Sequence, residues 1–221
     1  MKVIAMIPAR LGSQRLKQKN LQLLNGIPLI SHAINKAKNS NIFNEIWVNS
    51  ESLIFKKFAD DSAVNFHQRP SELANNNATS EDFIYEFLKK HSCDYVIQLH
   101  SIAPLITKTE IIDFVNKVKS NESDVLLSVE EIQIESACNN SPVNFSYSKK
   151  TNSQDLKPIQ KISWAITSWN RKNYLKAYEN GKCATYYGKV EYFSLSKMSS
   201  HIIKTRHDLD IANALFNLTN G

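Results

Sequence analysis

The chain has 221 residues, 42% of them hydrophobic and 22% charged, with a formal net charge of +6. That balance is ordinary for one medium-sized globular domain with a sizeable core, and no apolar run reaches the roughly 18 residues that a membrane-spanning helix needs. Cys93, Cys138 and Cys183 are too few and too scattered for a disulfide framework or a metal knuckle, so a reducing, cytoplasmic setting is expected.

Residues 2–7 are a short apolar run ended by Pro8, which reads as a strand buried on both faces. The run is too short for a signal core and meets Arg10 at once, so a secreted precursor is not expected. Leu29, Ile30, Ala33, Ile34 and Ala37 recur at helical spacing behind Pro28. Residues 45–49 read as a second strand, 53–59 as a weak helix and 63–67 as a third strand. Phe83, Ile84, Phe87 and Leu88 mark another helical face, with Glu81 and Asp82 in the first turn, where acids suit the helix dipole. Residues 95–99 read as a strand. Thr107-Lys108-Thr109-Glu110 is a capping box ahead of the stripe Ile111, Ile112, Val115 and Val118, and residues 124–129 read as a further strand.

Strand and helix alternate to this point, which predicts an α/β fold with a mostly parallel, Rossmann-like sheet between helices. The rhythm breaks over residues 131–160, a polar stretch that predicts an excursion such as an arm or hairpin. Residues 162–169 and 184–194 look strand-like. Residues 170–180 form a helix ended by Gly181, and a last helix starts near Thr205 with Asp208 at its third position. Trp164 and Trp169 alternate with Ile162 and Ile166 but are not in phase with each other, so one of them is expected to be partly exposed, with packing in the core or against a second copy as its role. His32 lies within a helical stripe and reads as structural, and His201 with His207 lacks a third ligand for zinc.

The charge is concentrated. Residues 1–44 hold Lys2, Arg10, Arg15, Lys17, Lys19, Lys36 and Lys38 and no acid, so the rest of the chain sums to −1. A nucleic-acid binder would spread its cations over a face or groove and add stacking aromatics. One short cationic loop suits a compact polyanion such as a triphosphate, or is simply a solvated basic loop; charge alone leaves both open. The loop follows the first strand, and parallel α/β sheets bind ligands at the carboxyl ends of their strands. Arg10 can grip phosphate oxygens bidentately, Lys19 supplies a point charge, Ser13 a hydroxyl and an amide, and Gly12 freedom to turn close to a ligand. No Gly-Lys-Ser/Thr follows, so this is not a Walker A loop, and the single Gly12 is no dinucleotide fingerprint.

Ile7-Pro8-Ala9-Arg10, Gly12-Ser13, Arg15 and Lys19-Asn20, followed by Gly26 and Pro28-Leu29-Ile30, resemble the opening of the CMP-sugar synthetases. These cytidylyltransferases activate sialic acid, its bacterial relatives and 3-deoxy-octulosonate. The resemblance continues through Arg69-Pro70, Leu73-Ala74 and Ala78-Thr79-Ser80, then Pro104-Leu105, Gln154-Asp155-Leu156, Thr205, Asp208-Leu209 and Ile211-Ala212. It covers residues 3 to about 216.

The resemblance implies a single nucleotidyltransferase domain over residues 1–221, of the nucleotide-diphospho-sugar transferase type. CTP and a keto-deoxy sugar acid would be its partners, without nucleic acid or membrane, and residues 131–160 would be the dimerisation arm of a homodimer. Carried over by position, Arg10, Leu11, Gly12, Ser13, Arg15, Lys19 and Asn20 would hold the nucleotide, with Arg10 and Lys19 also acting in catalysis. Arg69, Ala78 and Ser80 would frame the cytosine. His100, where the family has a Gln, would touch the sugar together with Gln154 and Asp155, although Ser153 stands in place of the family's Arg.

Mg²⁺ is the family's expected cofactor, but the positions of its carboxylate ligands are Ile102, Ile202 and Lys204 here, so no protein ligand is identifiable. Three readings follow: Lys204 acts in catalysis by neutralising phosphate charge, the triphosphate itself holds the metal, or the chain is a CTP-binding homologue impaired in catalysis.

Overall fold

The computed structural model describes residues 1–75, 77–120 and 122–220. Its strands are β1 (Val3–Pro8), β2 (Leu23–Leu24), β3 (Ile27–Pro28), β4 (Glu45–Ser50), β5 (Asn65–Gln68), β6 (Tyr95–Leu99), β7 (Val125–Ile132), β8 (Ala137–Cys138), β9 (Ser141–Pro142), β10 (Ile159–Asn170) and β11 (Val190–Ser194). Its helices are α1 (Leu29–Ser40), α2 (Ile54–Asp61), α3 (Ser80–Lys90), α4 (Lys108–Lys119), α5 (Arg171–Glu179) and α6 (Arg206–Asn220). Seven strands make one sheet in the order β11-β7-β10-β6-β1-β4-β5. β1 lies parallel to β4 and β6, β5 to β4, and β11 to β7.

The expected mostly parallel sheet is therefore present, with one strand reversed: β10 runs antiparallel to both β6 and β7. β7 and β10 are paired from Ile132 and Ile159 inward, so the excursion at residues 131–160 is the tip of a long hairpin. A bulge in β10 shifts the register between Ile162 and Thr167, with Trp164 at φ 59. The bulge lets two tryptophans five positions apart pack against the same core cluster, together with Ile162, while Ile166 faces the other. Trp169 is buried and donates its indole N–H to the Thr185 carbonyl, whereas Trp164 is half-buried. The strand expected over residues 184–194 is correct only at β11. Residues 184–186 form a 3-10 turn instead, because Ala184 and Thr185 are buried beside α5 and Trp169.

Residues of β1 point alternately to two cores. Val3 and Ile7 meet α1, α2 and α4, while Ile4 and Met6 meet α3 and α5. Capping boxes at Thr79 with Asp82 and at Thr107 with Glu110 set the starts of α3 and α4. A cap contributes about 1 kcal/mol, whereas the buried Ile111, Phe114, Val115 and Val118 of α4 contribute roughly 2 kcal/mol each, so packing rather than capping fixes that helix. A third cluster ties Leu16 of the opening loop to Leu24, Leu29 and Ile203 and to Leu209 and Ala212 of α6. That cluster holds the first and last segments of the chain against each other.

Candidate active site

β1 stands between β4 and β6, with its successor α1 leading one way and β6 lying on the other side. The carboxyl end of β1 is thus the switch point of the sheet, where a crevice opens. The loop after Pro8 fills that crevice and is held by other elements. The Ala9 amide donates to the Asn49 carbonyl at 2.9 Å, and the Leu11 amide to Glu51 Oε1 at 2.8 Å. Asn20 donates to the Arg10 carbonyl at 3.0 Å and accepts from the Ser101 hydroxyl at 2.6 Å. Arg69, 3% exposed, donates through Nη2 to the carbonyls of Ala9 and Asn49. The left-handed residue of the loop is Gln18, at φ 48. Gly12 does not supply the turn: its φ lies outside the left-handed region and a methyl group there would meet open space.

A cavity of about 320 Å³ opens over this loop. Arg10, Arg15, Lys19 and Arg69 line it, and among the described residues no carboxylate does. Burial, followed by the charges of Arg15, Arg10 and Lys204, pushes the Lys19 ammonium down to about 8. Its desolvated charge awaits an anion. Burial also pulls Arg69 down to about 10. The Arg69 guanidinium lies 4.5 Å from the Phe83 ring centroid, and its buried Nε has no hydrogen-bond partner among the described residues. Burial, with Lys19 second, lowers His100 to about 4, which leaves a neutral imidazole at neutral pH.

A second cavity, about 570 Å³, adjoins the first across Ile102, which lines both. The Ile203 amide donates to the Ile102 carbonyl at 2.9 Å, placing residues 201–204 against the end of β6. Lys161, Trp164, Lys197, His201 and Lys204 line this cavity. Its two acids are already engaged. Glu130 pairs with Lys161 at 2.9 Å, and Asp208 Oδ2 accepts from the amides of Lys204 and Thr205 and from the Thr205 hydroxyl. Burial opposes the Asp208 charge, yet those hydrogen bonds outweigh it and hold the carboxyl below its usual range. Lys197 and Lys204 make no ion pair among the described residues.

Magnesium takes hard oxygen ligands. Among the described residues no group of three or more His, Cys, Asp or Glu side chains could hold a metal ion. Ile102 and Ile202 offer hydrocarbon, and Lys204 repels a cation. The side chains here do not fit a protein-held Mg²⁺.

Of the residues singled out from sequence, Arg10, Ser13, Arg15, Lys19, Asn20, Arg69, Ser80 and His100 converge on the first cavity. Leu11 packs against the core and is tied through its backbone. Ala78 lies outside the lining, in an exposed turn built by the Asn75 carboxamide, whose carbonyl neighbour also accepts from Arg10. Lys204 lines the second cavity rather than the first. Gln154 and Asp155 reach neither: they lie exposed in a 3-10 turn of the excursion, held there by Gln133. His32 is buried against the Leu24 carbonyl, and His201 bonds the Asp208 carbonyl. Sequence reasoning missed Glu51, Asn49, Ser101 and Phe83. The first three lie at or just past the carboxyl ends of β4 and β6, where the switch-point rule could have found them.

A cation-lined crevice at the switch point of an α/β sheet lies where sheets of this class bind their ligands. Residues 4–217 match the family model described as "Cytidylyltransferase". Over 206 residues the chain is 28% identical to the N-acylneuraminate cytidylyltransferase of Streptococcus agalactiae serotype V, covering 88% of this chain and 50% of that protein. It is 33% identical over 140 residues to the 3-deoxy-manno-octulosonate cytidylyltransferase of Bdellovibrio bacteriovorus, covering 60% of this chain and 55% of that one. The solved structure of a CMP:2-keto-3-deoxy-manno-octonic acid synthetase complexed with CTP superposes with a TM-score of 0.75 at 17% identity, over 99% of this chain and 100% of that one, and shares the fold. The chain belongs to the cytidylyltransferase family, the group to which the CMP-sugar synthetase resemblance pointed. It spans half or less of the length of the N-acylneuraminate cytidylyltransferases it matches.

Proposed function

We propose that the chain transfers CMP from CTP to the anomeric hydroxyl of a 2-keto-3-deoxy sugar acid. The observation that carries this reading is the first cavity: four cations and no acid at the switch point of a cytidylyltransferase-family sheet. The anomeric oxygen bonds to the α-phosphorus and the bond from that phosphorus to the bridging oxygen breaks. Pyrophosphate leaves with the electron pair, and the hydroxyl proton passes to solvent. The protein's part is positioning and charge stabilisation.

Arg10, Arg15 and Lys19 hold the triphosphate, with Ser13 on the same cavity wall, Asn20 fixing the loop, and Leu11 and Gly12 carrying its backbone past the nucleotide. Arg69, Phe83, Ser80 and the turn at Ala78 frame the base. Neutral His100, on the wall of the first cavity, serves as a hydrogen-bonding group for the acceptor. The acceptor occupies the second cavity, where the ammonium of Lys197 suits a carboxylate. Residues 131–160, with Gln154 and Asp155, serve as a dimerisation arm on a single nucleotidyltransferase domain. No helix among the described residues is long and apolar enough to cross a membrane, and we place the reaction in the cytoplasm.

The relatives' names divide between sialic-acid-like and octulosonate-like acids, and either fits a cationic second cavity. The alternative of a nucleotide-binding homologue without catalysis draws no support from the comparisons. Incubation with CTP and each acid of a panel, followed by mass spectrometry, is expected to yield one CMP-linked acid. A panel of both acid types that yields no conjugate, while CTP is still bound, would sink the reading.

A further inference from the structure

Among the described residues, the two cavities hold an excess of positive side chains, and each of the two carboxylates lining them is engaged through one oxygen. Four cations face the first cavity without an acid. In the second, one Glu130 oxygen pairs with Lys161, and one Asp208 oxygen accepts three hydrogen bonds at the start of α6. The hydrogen bond between Ile203 and Ile102 sets Lys204, on the wall of the second cavity, close to Ile102, which lines both cavities. The Leu16, Ile203 and Leu209 cluster presses that wall onto the opening loop.

We infer that the triphosphate charge in this site is neutralised by side-chain cations, with Lys204 completing the set of Arg10, Arg15 and Lys19, and that no carboxylate of the chain holds a divalent ion there. The inference rests on the proposed CTP site and names the group that stands where a metal would otherwise carry charge. An ammonium and a divalent ion both stabilise phosphate oxygens electrostatically, but an ammonium does so without carboxylate ligands. The Lys19 ammonium, lowered first by burial and then by the charges of Arg15, Arg10 and Lys204, sits among cations gathered before the anion arrives. Asp208 acts on Lys19 in the opposite sense and keeps part of the repulsion in check.

The test is calorimetric titration of the whole chain with CTP, once with Mg²⁺ and once with EDTA, on the parent and on Lys204→Met, Lys204→Arg and Ile202→Asp/Lys204→Asp. Metal-free CTP is expected to bind the parent at least as tightly as its Mg²⁺ complex. Lys204→Met is expected to weaken CTP by roughly tenfold, the size of one charge-assisted hydrogen bond, and Lys204→Arg to restore most of it. The double aspartate variant places two new carboxylates on the wall of the second cavity and is expected to bind CTP at least roughly tenfold better with Mg²⁺ than without, by the same charge-assisted scale.

Loss of CTP binding by the parent in EDTA would overturn the inference. So would a Lys204→Met variant that melts like the parent and binds CTP as well. A double variant indifferent to Mg²⁺ would refute the placement of residue 204 at the phosphates. CTP binding is read without an acceptor, so failure of every acid to react would sink the transferase reading and leave this result standing.

Discussion

The opening loop and the excursion at residues 131–160 are both polar connections without regular structure of any length, yet they are held in opposite ways. The loop is tied to three other parts of the fold, through Asn49 and Glu51 beside β4, Ser101 beyond β6, and the Leu16 cluster with α6. The excursion is tied mainly to itself: Asn144 bonds Ile134, Ser136 and Lys157, Gln133 bonds Gln154 and Leu156, and Lys150 pairs with Glu135. Ile134, Val143 and Tyr147 remain exposed on it. A loop fixed by the core presents its charges in a set geometry before the ligand arrives, which is what tight recognition of a polyanion requires. The hairpin tip, held by its own hydrogen bonds, is the part proposed above to meet a second copy of the chain.

The largest effect is expected where the loop is clamped. Arg69→Ala removes a buried guanidinium and leaves the Ala9 and Asn49 carbonyls without it, at a cost of about 3 kcal/mol in urea unfolding. Lys150→Ala in the excursion breaks an exposed pair and is expected to cost under roughly 0.5 kcal/mol. Equal effects would erase the contrast between the two regions. Next comes Lys19→Met, expected to weaken CTP by about thirtyfold, as loss of a desolvated charged contact should. The same change is expected to raise the melting temperature of the free protein near pH 7, because it removes a buried charge repelled by Arg15, Arg10 and Lys204. A fall in both quantities would show that Lys19 supports the fold rather than the ligand.

The pH dependence of CTP binding follows from the same group. Lys19 has a pKa of about 8 in the free protein, and a bound phosphate raises it. Binding above that value therefore takes up a proton. Affinity is expected to be fully present below about pH 8 and to fall by up to roughly tenfold per unit above it, until the bound-state value is reached. A titration series from pH 7 to pH 9.5 checks this, and flat affinity would contradict it. The smallest effect is expected from Ile134→Ser with Val143→Ser. The unfolding free energy of the isolated chain should move by under about 0.5 kcal/mol, while light scattering should show loss of any dimer.

The contrast between the two regions also divides what could be read from sequence. The opening loop was legible because its cations crowd into ten residues behind an apolar strand, and because short-range patterns fix β1, α1 and β6. The capping box at Thr107 and the break in rhythm at residue 131 were legible for the same reason. Contacts made at long range were not. Glu51 holds Leu11 across forty positions, and nothing local marks it. The reversal of β10 follows from pairing with β7 across the excursion, and its bulge at Trp164 shows in the sequence only as two tryptophans out of phase. Gly12 misled, since a lone glycine in a loop suggests a left-handed turn, and the strained position is Gln18. Lys204 could be placed near the phosphates only by likeness. The structure puts it on the neighbouring cavity wall, pointing the question of charge balance at a single side chain.

Pyrophosphate release from CTP, measured in parallel with UTP and ATP across a panel of nine-carbon and eight-carbon 2-keto-3-deoxy acids, tests the central claim most directly. Release that needs both CTP and one such acid, and that Arg10→Ala abolishes, is the predicted result. Release at the same rate without any acid, or with equal rates for all three nucleotides, would contradict it.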